Sequence, residues 1–420
     1  MMMLNKIKEI PAYNVLNFLF ITILLNLIPV FLLGVFDISR TLYSFLVGLV
    51  YFIQSVIFLF LCINRIKEIT KKEFLFLSVC VLNCILSTLF VFMKYNSVSL
   101  NEIIFTLTLI YNIFIFTICI RKFSITKEEV MKFFEKMVIL GLLSVIFNLI
   151  SNYKFLPSLL TVDNSYNLQF GSFFPNRNQF GSFMLIMIIS NTFLYRYKNE
   201  KKLLFVQILF IINLILTMSR TSMLGLFTFF AVLLYYKYFV EKKEISKKIK
   251  KNIFIVTILL VIIIIILLLT TDLLETLNKL FFRLDTIRTG SGRFNLWENG
   301  LSIVKDNNIL FGIGRFKLIE LNSLIFNSRL TQFHSLYLEK LFTHGILGMI
   351  WLFVLLSFVW KQTSFISKNI KSIVKSSFIT FLVISIFETT TRFSIGYADS
   401  IYMIFFLSLP LVLSNQLHKE

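Results

Sequence analysis

Charge is scarce in this sequence. Asp, Glu, Lys and Arg together make up 15% of the 420 residues, against roughly a quarter in ordinary soluble domains. Hydrophobic residues reach 57%, and mean hydropathy is +0.82. That excludes a soluble cytosolic enzyme. It also excludes a disordered chain, which does not carry so much apolar surface. Proline (5) and glycine (14) are few as well, so composition breaks few helices. With 3 His and 4 Cys there is little to build a metal cluster from. No HExxH, CxxC or Asp-x-Asp pattern occurs, and Cys62, Cys80, Cys84 and Cys119 lie in or at the ends of apolar runs. They read as small core hydrophobes. Neither a metal nor a cofactor is expected.

Acidic residues are the scarcer charge, 22 against 42 Lys and Arg, for a net charge of +20. In a soluble protein this would suggest nucleic acid. In so apolar a chain, cytoplasmic loops that collect Lys and Arg account for it, and no nucleic-acid partner is expected.

What is abundant is long apolar runs. A transmembrane helix needs about 20 mainly apolar residues. Twelve runs qualify: Val15–Phe36, Thr41–Ile63, Phe74–Met93, Glu102–Ile120, Phe133–Ile150, Asn178–Tyr195, Leu203–Met218, Thr221–Val240, Asn252–Thr270, His334–Trp360, Ser372–Phe387 and Ser400–Ser414. Basic residues cluster in alternate loops, among them Arg65 to Lys72, Arg121 to Lys132, Arg196 to Lys202, Lys242 to Lys251 and Lys361 to Lys375. The positive-inside rule then puts both termini in the cytoplasm, and the even helix count agrees. No small-residue cleavage site follows the first run, so no cleavable signal peptide is expected. No internal repeat is visible, which weakens an inverted-repeat transporter reading.

The expected fold is an all-α polytopic membrane protein with about 12 transmembrane helices. It forms a single integral membrane domain over 1–420, with nine helices in 1–270 and three in 334–420. One large extracytoplasmic loop, 271–333, joins helices 9 and 10. It holds most of the outside charge, and long loops are seldom structureless without a function. Leu273, Leu274, Leu277, Leu280 and Phe281 recur at helical spacing, as in a helix lying on the membrane surface.

Chemistry is expected on that outer side. Arg177, Arg220 and Arg293 each stand near an apolar boundary. Such an arginine either snorkels to the headgroups or presents its planar fork to an anion. His334 is expected to open the tenth helix. It is either a polar cap or, where water, membrane and loop meet, a group able to take a proton from a hydroxyl. His344, ten residues on, reads as packing or helix–helix hydrogen bonding. Glu339 and Lys340 fall inside the same span, where ionisable groups are costly and usually paired. Gly345 and Gly348 suit close helix packing. Gly312-Ile313-Gly314 lacks the third glycine of a dinucleotide fingerprint and reads as a turn.

These residues resemble a known family. His334-Ser335, nine residues, then Gly345-Ile346-Leu347-Gly348 is similar to the His-[Asn/Ser/Gln]-x9-Gly-x-x-[Gly/Thr/Tyr] signature of the O-antigen ligase and polymerase superfamily. Arg293-Phe294-Asn295-Leu296-Trp297 resembles its Arg-x-x-x-Trp element. Residues Asn307 to Gly314 resemble the Pro-x-x-Gly-x-Gly element that follows, without the proline. Leu216-Thr217-Met218-Ser219-Arg220 looks like Leu-Thr-x-Ser-Arg, and Phe174-Pro175-Asn176-Arg177-Asn178 like Phe-x-Asn-x-Asn. The motifs run in family order from 174 to 348. Before them the chain matches only as hydrophobic helices.

The resemblance implies a metal-independent inverting glycosyltransferase of GT-C type in the bacterial inner membrane. Its partners would be an undecaprenyl-diphosphate-linked oligosaccharide donor and acceptor and membrane lipid, with a flippase and chain-length regulator proteins as associates. It implies His334 as the catalytic base and Arg220 and Arg293 as diphosphate ligands, with Arg177 a weaker third. Apart from the resemblance, Glu388 or Asp399 in the last outside loop is the candidate to orient the histidine. A repeat-unit polymerase is the favoured activity. The alternatives are an O-antigen ligase and, from another class, a polysaccharide transporter or flippase.

Overall fold

The computed structural model describes residues 15–62, 66–155, 170–241, 293–326, 333–388 and 398–415. Every regular element among them is helical. In order they are α1 (Val15–Phe36), α2 (Arg40–Cys62), α3 (Lys71–Tyr95), α4 (Leu100–Ile113), α5 (Lys127–Asn152), α6 (Arg177–Lys198), α7 (Lys202–Leu216) and α8 (Arg220–Tyr235). After the segment 242–292 come α9 (Arg293–Asn307), α10 (Arg315–Phe326), α11 (Leu336–Gln362), α12 (Lys368–Ile384), α13 (Ala398–Met403) and α14 (Leu409–Leu413). A π-helical turn, Phe114–Cys119, extends α4, and another, Ile404–Ser408, joins α13 to α14.

Among the described residues, seven candidate spans, those built on α1 to α5, α8 and α11, are long and apolar enough to cross a membrane. Lys202–Leu216 and Ile401–Leu413 are apolar but shorter. The molecule is therefore a multi-pass helical membrane protein. The expected run Asn252–Thr270 and the surface-helix residues Leu273 to Phe281 lie outside the described residues.

Local signals set the helix starts. Thr70 and Thr126 form capping boxes with Glu73 and Glu129, which satisfy donors at the first turns of α3 and α5. Ser99, Asn176, Ser219 and Ser335 cap α4, α6, α8 and α11 with side-chain oxygens. Asn96 and Asn199 close α3 and α6 in the left-handed region, at φ 51° and 52°.

The centre of the bundle is α6. Its residues from Phe180 to Ile189 are all buried, as befits a helix apolar around its whole circumference. Around it pack α5, α7, α8 and α12. Lipid tails are as apolar as leucine, so close contact and not water exclusion holds such helices together. Gly141 of α5 lies against Phe210 and Met187, and Gly225 of α8 against Leu185 and Ile384. Phe134 and Phe193 stack with ring centres 4.3 Å apart.

The bundle end opposite His334 gathers basic residues. There Glu73 binds Lys122 at 2.7 Å and Arg121 at 3.2 Å, and Lys198 binds Glu135 at 2.8 Å.

Two features depart from expectation. His334 does not open a helix: it precedes the N-cap Ser335, at φ 53°. The cap must stand in extended backbone, so the helical register starts only at Leu336. Second, α11 is broken at Gly345, where φ is 69° and ψ −165°. The segment 309–314 laces into the break. Ile313 and Gly314 donate to the carbonyls of Phe342 and Thr343 at 3.1 Å each, while Ile346 and Leu347 donate to Ile309 and Leu310. A backbone break at membrane depth is tolerated only when protein satisfies it, and here the loop does so. A Cβ at Gly345 would strike the Leu310 carbonyl. The glycine therefore serves a close backbone approach as well as a positive φ.

Candidate functional site

The site lies where the N-termini of α8, α9 and α11 meet the C-terminus of α12. Its middle is Glu388, one turn beyond α12, with its N–H donating to Ile384 O at 3.0 Å. Three elements converge on that carboxylate. Arg293, the first residue of α9, donates to Oε1 at 3.1 Å and to the Phe387 carbonyl at 2.6 Å. His334 brings Nδ1 to 3.5 Å from Oε2. Thr221 of α8 brings its hydroxyl to 3.5 Å from Oε1. The Leu336 N–H donates to Ser385 O at 2.9 Å, which ties the start of α11 to the end of α12. The side chains remain partly open: His334 is 30% exposed, Arg293 21% and Glu388 17%.

The electrostatics follow from this order. Arg293 compensates the charge on Glu388 through a charge-assisted pair. The remaining carboxylate oxygen faces the imidazole. A carboxylate at Nδ1 favours the tautomer with the proton there, and that leaves the Nε2 lone pair as acceptor.

Arg220 opens α8, beside Thr221. Its approach turn is built from hydroxyls. Thr217 Oγ1 accepts from Ser219 N at 3.2 Å, and Ser219 and Ser222 Oγ lie 2.9 Å apart. Ser182 of α6 reaches Ser222 at 3.2 Å. This lets Met218 take φ 52° and gives Leu-Thr-x-Ser-Arg its physical content. Arg177 opens α6 on the same side of the bundle, one turn before Gly181, which faces Thr217, Ser219 and Ser222. The loop before it is pinned by Asn148, which accepts from Ser172 N and donates to Asn213, at 3.0 and 2.9 Å.

The structure thus brings Arg293, Glu388 and His334 together, and sets Arg220 and Arg177 at neighbouring helix starts. Asp399 belongs to α13, and its side chain lies outside the described residues. His344 sits apart: it is buried, 2.7 Å from the Thr343 hydroxyl, and its carbonyl accepts from Asn83. Glu339 pairs with Arg315. Lys340 lies over the Trp351 ring at 4.6 Å. Among the described residues no group of three or more His, Cys, Asp or Glu converges to hold a metal. Thr221 is the contact that sequence reasoning missed. Its only signal is its place directly after Arg220 in the motif.

Residues 205–353 match the family model described as O-antigen ligase. That stretch contains Arg220, Arg293 and His334. In it the chain is similar to the O-antigen ligase and polymerase superfamily, as the motifs imply. No curated protein matches the chain.

Proposed function

We propose that this chain polymerises undecaprenyl-diphosphate-linked oligosaccharide repeat units into O-antigen or capsular polysaccharide, by inverting glycosyl transfer. In this reading it is one integral membrane domain of GT-C type with about twelve crossings. Both termini are cytoplasmic, and the site opens on the outer face of the inner membrane. The observation that carries the reading is the convergence of His334 and Arg293, both within the stretch similar to the O-antigen ligase family, on Glu388 beside the start of α8.

The chemistry needs little else. The acceptor hydroxyl attacks the anomeric carbon from the face opposite the diphosphate. The new C–O bond forms as the bond to the phosphate oxygen breaks, and undecaprenyl diphosphate leaves. The hydroxyl proton passes to Nε2 of His334, with Glu388 steadying the resulting imidazolium. Arg220 and Arg293 stabilise the charge that grows on the departing diphosphate, with Arg177 as a further cation. Glu388 holds Arg293 in place beforehand, so little reorganisation is needed when substrate arrives.

An O-antigen ligase is the second reading, since the family match fits both activities. It would use the same chemistry with a lipid A-core acceptor. Deletion of the gene followed by a glycan gel separates the two. Loss of a polymerase leaves surface glycan capped with one repeat unit. Long chains accumulating on undecaprenyl diphosphate, with a bare acceptor, would establish the ligase instead.

A further inference from the structure

α9 approaches His334 twice. Arg293 holds Glu388, the carboxylate at the imidazole. One turn along the same face, Trp297 donates its indole N–H to the Phe333 carbonyl at 2.8 Å. That carbonyl belongs to the peptide plane whose nitrogen is His334's own. Holding the oxygen fixes the peptide plane on one side of the His334 N–Cα bond, and with Leu336 N–H held on the other side the rotation about that bond, φ, is restrained. The value found, 53°, lies in the left-handed region, uncommon for non-glycine residues although histidine enters it more readily than most.

The surroundings leave this plane little freedom. Phe333 is 2% exposed and meets Phe342 edge to face at 4.9 Å. α9 lies so close that a Cβ on Gly300 would press on both rings. On the far side Ser335 caps α11, and Leu336 N–H is bound to Ser385 O.

We infer that Trp297 is a positioning residue: its indole N–H sets the peptide plane before His334 and so aims the imidazole between Glu388 and the acceptor hydroxyl. The inference rests on the reading of His334 as proton acceptor.

The test uses the full-length protein in detergent. Donor and acceptor are the lipid-linked oligosaccharide extracted from the source strain with this gene deleted. Trp297→Phe keeps an aromatic ring but removes the donor, whereas Trp297→His keeps a ring N–H. Misplacing a reacting group by about 1 Å costs on the order of 10²-fold. Trp297→Phe should therefore lower kcat by about 10- to 100-fold. KM and the thermal midpoint should stay near wild type, Trp297→His should recover part of the loss, and His334→Ala should be inactive. Wild-type kcat in Trp297→Phe beside an inactive His334→Ala overturns the role of Trp297 alone. Equal losses in the Phe and His variants, a rise in KM without a fall in kcat, or a Trp297→Phe protein that no longer folds would make the ring mere packing and overturn it too. An active His334→Ala overturns the base assignment and this inference with it.

Discussion

Glu102 and Arg315 stand 213 positions apart, yet Glu102 Oε1 accepts the Arg315 backbone N–H at 2.9 Å. Its other oxygen accepts the Phe316 N–H at 2.7 Å. A carboxylate within a membrane-crossing helix thus caps a helix from another part of the chain, where unsatisfied N–H groups and the helix dipole both favour an anion. A Cβ on Gly314 would press on that carboxyl at about the distance of a clash, 2.8 Å. The Arg315 guanidinium goes on to pair with Glu339 of α11.

Removing the cap should cost stability. In Glu102→Ala two donors lose their partner, at about 1–3 kcal/mol for each buried group left unsatisfied. Glu102→Gln keeps one carbonyl oxygen and should lose less. Thermal unfolding of the purified protein should rank wild type above Gln and Gln above Ala. An Ala variant as stable as wild type would contradict the capping role.

The two histidines of the α11 region should separate cleanly. His334→Ala removes the proposed base, for which losses of roughly 10²–10⁴-fold are typical, while the protein still inserts. His344 is buried against Thr343 and Trp351. His344→Ala should lower the unfolding midpoint more than the turnover. Turnover assays on both variants check this, and equal activities would refute the assignment.

Arg220 and Arg293 should resist replacement by lysine. A planar fork can engage two oxygens at fixed geometry, whereas an ammonium is a point charge. Arg293 already spans the Phe387 carbonyl and Glu388. Arg293→Lys should therefore fall furthest in activity, with Arg220→Lys also impaired. Full activity in both would refute their role as diphosphate ligands.

Reporter fusions test the proposed topology. A reporter at Lys247 should read as cytoplasmic and one at Asn307 as extracytoplasmic. Signals from the same side would sink the twelve-crossing arrangement.

Run length and hydropathy alone locate Val15–Phe36, because in a bilayer every backbone group of a span must be satisfied within the helix. Capping chemistry, a local signal, explains why α3 and α5 begin before their apolar runs, at Lys71 and Lys127. Periodicity passes through Gly345 without a mark, since the break is imposed by 309–314, a segment distant in sequence. The glycines of Gly312-Ile313-Gly314 do read as a turn, but nothing local shows what the turn is for. The arginines and His334 are legible as residue types at motif spacing. Which acid faces the histidine is not, because the choice of Glu388 depends on how α12 meets α11. Glu102 was visible as an acid at the edge of an apolar run, and its partner was not.

The lacing of 309–314 into α11 also bears on the order of biosynthesis. The ribosome makes the loop first and the helix with the gap afterwards. When α11 forms, the groups that close its gap are already translated and must be held ready for it. Assembly of this part of the protein is thus a docking step between an earlier segment and a later helix, and no stretch beginning after Gly314 contains both halves of the joint.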